Sequence, residues 1–345
     1  MNVQSLMARG AGFLGSEQAI LCGAMSWVSE RNLVSAISNA GAFGVIACGA
    51  MQPPRLAEEI VATQAMTTRP FGVNLITMHP ALTELLDVCI AHRVGTIIFA
   101  GGIPSGAILA QARAAGMKII CFAPTLAMGR RLVRAGADAL IIEGSEAGGH
   151  IGPVSLQVLA QEILPHVRDV PVFVAGGIGR GEAMLSFLEM GAAGVQLGTR
   201  FVCATECIAH PKFKAAYIRA QARDAMPSVQ LDDQFPVVPV RALKNAATAR
   251  FMQHQALVLG KFQSGALTKD AAQLDIEHFW AGALRRAVVD GDVEEGSLMA
   301  GQSVGMVTRE QSVVEIIAEL LEQANAALET RMNAPRAFAS TAPLG

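Results

Sequence analysis

Val172-Phe173-Val174-Ala175-Gly176-Gly177-Ile178, followed by Gly194-Val195-Gln196-Leu197-Gly198-Thr199-Arg200, reads as two short buried strands that each end in a glycine turn. Between them, Gly181–Met190 has the spacing of an amphipathic helix, closed by Gly191 where a left-handed cap belongs. That is a βαβ unit, and it makes the two strands parallel. The same unit recurs toward the N-terminus. Strand-like runs occupy Ala19–Gly23, Gly44–Cys48, Phe71–Leu75, Thr96–Phe99, Lys118–Phe122 and Ala139–Ile142. Helix-like stretches separate them at Asn32–Ala40, Pro54–Ala65, Ala81–His92, Ala107–Ala115, Thr125–Ala135 and Ser155–Val167. Eight strands at about 25-residue spacing predict an α/β fold of the (β/α)8 barrel type. A doubly wound sheet is the runner-up, and it lacks its fingerprint. No GxGxxG follows the first strand, where Gly23-Ala24-Met25 holds a single glycine.

After Leu197 the pattern changes. A helix-like stretch at His210–Arg223 leads into Asp224–Pro239, which is rich in proline. Helical segments are predicted at Val240–Leu259 and Asp275–Val289, then a turn at Asp290–Ser297 and a well-periodic helix at Gln311–Thr330. The expected organisation is a barrel over 1–223, a small helical lid inserted after strand 8 over 224–300, a final helix packing back over 301–330, and a flexible tail over 331–345. An insertion at that point covers the C-terminal mouth, where barrel active sites lie.

On the barrel reading, the glycine turns at Gly176-Gly177 and Gly198-Thr199 close strands 7 and 8. Phosphate sites of barrels are built there from backbone N–H groups and a helix start. Ala175 and Gln196 stand just inside those turns. The competing reading is two glycine-rich connections without a ligand. The end of strand 6 carries the titratable groups: Glu143-Gly144-Ser145-Glu146-Ala147-Gly148-Gly149-His150. Gly148 and Gly149 let a ligand approach the backbone, and His150 is the group there suited to proton chemistry near neutral pH. A Gly-rich turn with a surface histidine is the bland alternative. Glu143 can bond a ligand or cap its loop, and Glu146 is either solvated or an orienting partner of His150. Asn74 at the end of strand 3 offers an amide that both donates to and accepts from a flat heterocycle, or else it starts a loop. Gly23, Ala24 and Met25 offer close backbone approach and a polarizable side chain. Met299, Ala300 and Gln302 return from the lid to close over a bound ring, or form a plain connector.

Together these features describe a phosphate-bearing planar cofactor across the barrel mouth, and FMN fits best. Pyridoxal phosphate needs a Schiff-base lysine at a strand end. Lys118 begins strand 5, at the wrong end of the barrel. The chain has 345 residues, 52% of them hydrophobic and 16% charged, with a mean hydropathy of +0.39, which suits strands buried on both faces. A net charge of -2 without a basic cluster argues against nucleic acid, and no apolar run is long enough for a membrane span. The six cysteines contain no CxxC, and Cys203 and Cys207 lack nearby histidines, so buried reduced thiols are expected rather than a metal site. With no secretory leader in view, a cytoplasmic protein is expected.

The strings Ala147-Gly148-Gly149-His150-Ile151-Gly152, Ala175-Gly176-Gly177-Ile178 and Gln196-Leu197-Gly198-Thr199-Arg200-Phe201 resemble the nitronate monooxygenase (2-nitropropane dioxygenase) family, over about residues 19–325. That family comprises FMN-dependent TIM barrels and includes the flavin-dependent enoyl-ACP reductase FabK. The resemblance implies FMN held by backbone at Gly23–Met25, by the Asn74 amide, and by phosphate contacts at Gly176-Gly177 and Gly198-Thr199, with His150 as the catalytic histidine. The stretch Gly296-Ser297-Leu298-Met299-Ala300-Gly301-Gln302 is similar to the reductase branch. One departure is Cys22, where related chains carry Gln before the glycine. The implied activity is oxidation of nitronates with O2. The alternative is NAD(P)H-dependent reduction of an enoyl thioester, and a non-catalytic flavin-binding barrel is a third reading. The apolar face of the last helix allows a homodimer.

Overall fold

Short apolar runs bounded by glycine have one way to bury both faces, which is to pair in parallel under a layer of helices. The computed structural model, which describes residues 2–333 except 233, 234 and 236, shows that arrangement closed into a ring. In chain order the barrel comprises α1 (Val3–Leu14), β1 (Ile20–Cys22), α2 (Arg31–Asn39), β2 (Gly44–Ala47), α3 (Pro53–Met66), β3 (Phe71–Ile76), α4 (Leu82–Ala91) and β4 (Thr96–Ala100). It continues through α5 (Gly106–Ala114), β5 (Lys118–Phe122), α6 (Leu126–Ala135), β6 (Ala139–Glu143), a two-residue β7 (Gly149–His150) and α7 (Leu156–Ile163). Then come β8 (Val172–Ala175), α8 (Gly181–Glu189), β9 (Gly194–Leu197), α9 (Thr199–Val202) and α10 (Pro211–Arg219).

The parallel order is β1-β9-β8-β6-β5-β4-β3-β2. A parallel bridge between Leu21 and Phe43 joins the two ends, with the Cys22 N–H donating to Phe43 O at 2.9 Å. All eight predicted barrel strands are present. Their side chains, such as Ile97, Ile119, Ile141, Phe173 and Val195, are fully buried. Burial of each such side chain contributes about 1.5–3 kcal/mol. The register places Glu143, Ala175, Gln196 and Leu21 at one level of the ring. Side chains at that level define the floor of the carboxyl-terminal mouth.

Helix α1 was not anticipated. Asn2 caps it by accepting from the Ser5 N–H at 2.9 Å, and Val3, Met7 and Leu14 are buried. It closes the opposite, amino-terminal end of the barrel. There Lys118 Nζ donates to Phe13 O and lies 5.2 Å from the Phe13 ring centre, so Lys118 is at the end expected of it. The final helix α13 (Val313–Asn333) packs its apolar face against α8 and α1, burying Ile316, Leu320, Ala324 and Leu328. That face is therefore used within the chain, which removes the basis for expecting a dimer through it. The tail expected from residue 331 is helical through Asn333, and the rest of it lies outside the described residues.

The insertion departs from the expectation of helices alone. Residues 225–288 contain β10 (Ala225–Pro227), β11 (Val240–Leu243), α11 (Ala246–Gln263) and α12 (Lys269–Val288). Val240–Leu243 is a strand and not the start of a helix. Its backbone pairs antiparallel with β7 on one side and β10 on the other, and Asn245 then caps α11 through the Thr248 N–H. The insertion has its own apolar cluster, in which the tilted rings of Phe251 and Trp280 have centroids 4.1 Å apart beside Phe235, Val240, Val258 and Ile276. Met299 touches both this cluster and the barrel core. Among the described residues no helix is long and apolar enough to cross a membrane.

Candidate active site

Five chain segments meet at the carboxyl ends of β6, β8, β9 and β1. Gly176 and Gly177 have φ of +100° and +69°, a conformation that glycine adopts without penalty. This turn packs directly under the loop after β6, where a Cβ on Gly177 would stand 2.9 Å from Glu146 Cβ. That loop is in turn pressed against the segment returning from the lid. A Cβ on Gly148 would lie 2.5 Å from Gly301 N, so only glycine fits there. The Gln302 N–H donates to Glu146 O at 2.9 Å, and the Gly301 N–H donates to Thr199 Oγ1 at 3.0 Å. Thr199 keeps its own hydroxyl proton for another acceptor. On the far side, the Gly23 N–H donates to Leu197 O at 2.8 Å, and the Met25 thioether lies against Gly198.

The structure therefore brings together Gly23–Met25, Glu143, Gly149, Ala175–Gly177, Gln196, Gly198-Thr199 and Met299–Gln302, as the sequence proposed. Asn74 sits inside β3, two residues before its end, and is buried. One of its amide hydrogens goes to Ile98 O at 3.1 Å, leaving Oδ1 and the second amide hydrogen as the groups it can offer. Ala300 is fully buried beside Met299, whose carbonyl accepts from the Tyr217 hydroxyl.

A flavin carrying a phosphate fits this donor set. The first turn of α9 leaves the N–H groups of Thr199 and Arg200 without intrahelical acceptors, and no hydrogen bond among the described residues takes the Gly177 N–H. At the ring level, Gln196 is buried and its amide bonds to nothing among the described residues. Glu143 likewise has no partner there, and burial pushes its carboxyl up to about 8. At neutral pH it is thus a hydrogen-bond donor as well as an acceptor. The Cys22 thiol, where related chains carry an amide, points into the protein: it lies 3.3 Å from Gly23 O and 3.6 Å from Ser29 Oγ, and burial pushes it up to about 12.

His150 lies in β7, which pairs with β11 so that His150 is opposite Val240. Its ring is 45% exposed, and Nε2 is 3.0 Å and 3.1 Å from the two carboxylate oxygens of Glu277 on α12. Glu146 is not its partner. That carboxylate accepts the Leu156 N–H at 2.9 Å and so caps α7. Glu277 was missed, because nothing in the local sequence marks one acid on an amphipathic helix as facing a histidine 127 positions earlier. Arg241 was missed for the same reason. It is buried and ties β11 to the histidine loop by donating from Nε to Ser145 O at 3.0 Å. Arg285 of α12 lies 5.8 Å from the ring of Trp27, just after the Gly23–Met25 loop. Among the described residues no cluster of His, Cys, Asp and Glu could hold a metal ion, and all six cysteines are free and buried.

The family model for nitronate monooxygenase matches residues 10–89 and 82–323. The chain belongs to the nitronate monooxygenase family. It is a flavin-dependent oxidoreductase of that family, as its sequence strings implied. Among solved structures, FabK from Thermotoga maritima is similar with a TM-score of 0.83 and 34% identity, covering 94% of this chain and 98% of that one. A nitroalkane oxidase from Streptomyces ansochromogenes is similar with a TM-score of 0.76 and 26% identity, covering 93% and 99%. The Mycobacterium tuberculosis enzyme (3aS,4S,5R,7aS)-5-hydroxy-7a-methyl-1-oxo-octahydro-1H-indene-4-carboxyl-CoA dehydrogenase is 28% identical, over 92% of this chain and 96% of its own. This member of the nitronate monooxygenase family thus has relatives that act on nitro compounds and relatives that act on thioesters.

Proposed function

We propose that the chain binds FMN across the barrel mouth and oxidises small alkyl nitronates or nitroalkanes with O2. The observation that carries this reading is the placement of His150. It follows the glycine loop that packs against Gly176-Gly177 and Met299–Gln302, at the rim of the mouth and under the lid. Gly177, Thr199 and Arg200 would hold the phosphate through their backbone N–H groups, with the Thr199 hydroxyl as a further donor. Asn74, Glu143 and Gln196 would bond the flavin's polar edge, and Gly23–Met25 and Met299–Ala300 would flank it. When bound, FMN would supply a two-electron acceptor that O2 can reoxidise. His150 takes the α-proton of a nitroalkane, or holds the anionic nitro group of a nitronate.

A second reading is supported by the greater similarity to FabK, and by the CoA-thioester relative: reduction of an enoyl thioester by NAD(P)H. His150 would then donate to the thioester carbonyl as negative charge develops on it.

The purified protein is expected to absorb near 450 nm, roughly where oxidised flavins absorb, and to release FMN on denaturation. Release of FAD, or of no flavin, would exclude the cofactor assignment. Anaerobic mixing with propionate 3-nitronate or nitroethane is expected to bleach that band, and mixing with NADPH is not. The reverse result would select the thioester reductase. His150→Ala is expected to keep the flavin and lose about 10²–10⁴-fold in turnover.

A further inference from the structure

We propose that Glu277 of the lid is the positioning residue for His150, fixing which ring nitrogen faces the reacting substrate. The inference rests on His150 being the group that handles the proton, and it adds where that group's orientation comes from.

Both Glu277 oxygens lie within 3.1 Å of Nε2. A carboxylate has no proton to give, so in a neutral imidazole held this way the hydrogen resides on Nε2 and the Nδ1 lone pair is left free. Nδ1 is therefore the nitrogen that takes a proton, and an imidazolium would present N–H at the same place. Rotation of the ring is opposed from both sides. The backbone of Gly149 and His150 is pinned by β11 at Arg241 and Val240, the Ile151 N–H donates to Pro239 O at 2.9 Å, and the ring edge is held by α12.

Arg241, Glu146 and Asp275, on the surrounding elements, are engaged elsewhere. Arg241 donates to Ser145 O and Ala225 O, Glu146 caps α7, and Asp275 on α12 pairs with His254 of α11 at 3.1 Å. Glu143, at the end of β6, has no partner among the described residues. Glu277 is thus the carboxylate at this ring, and it comes from the lid rather than from the barrel. A catalytic histidine oriented by a second carboxylate is a familiar arrangement. Here the orienting group arrives only when α12 is seated, so the lid sets the base as well as the shape of the mouth.

The test uses the flavin-loaded protein, labelled with 15N in its histidine rings, with the His150 signals assigned by their loss in His150→Gln. In the unaltered protein near pH 8, Nε2 is expected at the shift of a protonated ring nitrogen and Nδ1 at that of an unprotonated one. Glu277→Ala is expected to move the two shifts toward each other and to lower kcat by about tenfold, with KM changed less than about twofold. Glu277→Gln, which keeps an acceptor oxygen at the same reach, is expected to retain separated shifts and most of kcat. Unmoved shifts in Glu277→Ala would overturn the proposal whatever happened to activity. Shifts that move while kcat stays level would overturn it as well. If His150 proved not to be the reacting group, the ring signals would still respond to Glu277 while His150→Ala remained active, so the two failures are separable.

Discussion

In the barrel, the groups that face the mouth arise from strand ends at one level of a closed ring: Glu143, Ala175 and Gln196 lie side by side in register. In the lid, the groups that matter come from far along the chain, and a short antiparallel sheet and one helix bring them to the rim: Arg241 beside Gly149, and Glu277 beside His150. The barrel positions polar groups by backbone geometry, which tolerates little change. The lid positions them by side-chain reach, from a helix that also carries a separate aromatic core. The two groups of residues thus rest on two different apolar clusters.

Paired core truncations are the strongest way to break that division. Phe173→Ala in the barrel and Phe251→Ala in the lid each empty a fully buried aromatic site and are expected to cost about 3–5 kcal/mol in urea unfolding. Phe173→Ala is expected to abolish flavin retention. Phe251→Ala is expected to leave the flavin bound and to slow turnover, with hydrogen exchange rising in α11 and α12 while β8 and β9 stay protected. Equal flavin loss in both would unite the two regions.

Gly177→Ala probes the barrel side alone. It imposes a left-handed φ of +69° on a residue with a Cβ, and that Cβ meets Glu146 at 2.9 Å. A destabilisation of about 1–3 kcal/mol is expected, with weaker FMN binding by equilibrium dialysis. Unchanged affinity would remove this turn from the cofactor site.

Glu143 gives a smaller, pH-dependent effect. Its carboxyl titrates near 4.5 when unfolded and about 8 when folded. Between those values the flavin-free folded state holds a proton that the unfolded chain has released, so stability falls as pH rises from about 5 to about 8 and levels beyond. Glu143→Gln is expected to flatten that slope and to melt higher at pH 8 by about 2–4 °C. A parallel pH profile in the variant would show that the carboxyl is not held protonated. The smallest expected effect is at the thiols. Burial raises all of them, Cys22 and Cys48 to about 12, so iodoacetamide at pH 8 should label none in the folded protein and all six after unfolding.

The barrel was legible because its strands bury both faces and several of its helices are followed by a left-handed glycine, as α6 is by Gly136 (φ +105°), so a local signal and the global fold agree. The glycine turns at Gly148-Gly149 and Gly176-Gly177 were legible for the same reason, since close packing of neighbouring segments requires glycine at a fixed place. Helix α1 also left a readable signal: Asn2 stands at its cap, and Val3, Met7 and Leu14 share a face. By contrast, Val240–Leu243 reads equally well as helix or strand over four residues. Only its pairing with Gly149–His150, roughly ninety positions away, decides between them. Glu277 left no local signal at all, because a hydrogen-bond partner on another element is chosen by tertiary packing.

That β7–β11 pairing has a consequence for how the protein comes into being. Ribosomal synthesis delivers all eight barrel strands by Leu197, yet the strand that pins His150, the helix that carries Glu277 and the Met299–Gln302 segment all follow. A nascent chain can bury its barrel core early, through contacts between neighbouring βα units, whereas His150 must wait for partners of high sequence separation. The alignment of His150 is therefore acquired late in folding, after the barrel core, and a chain halted before residue 288 carries an unaligned histidine.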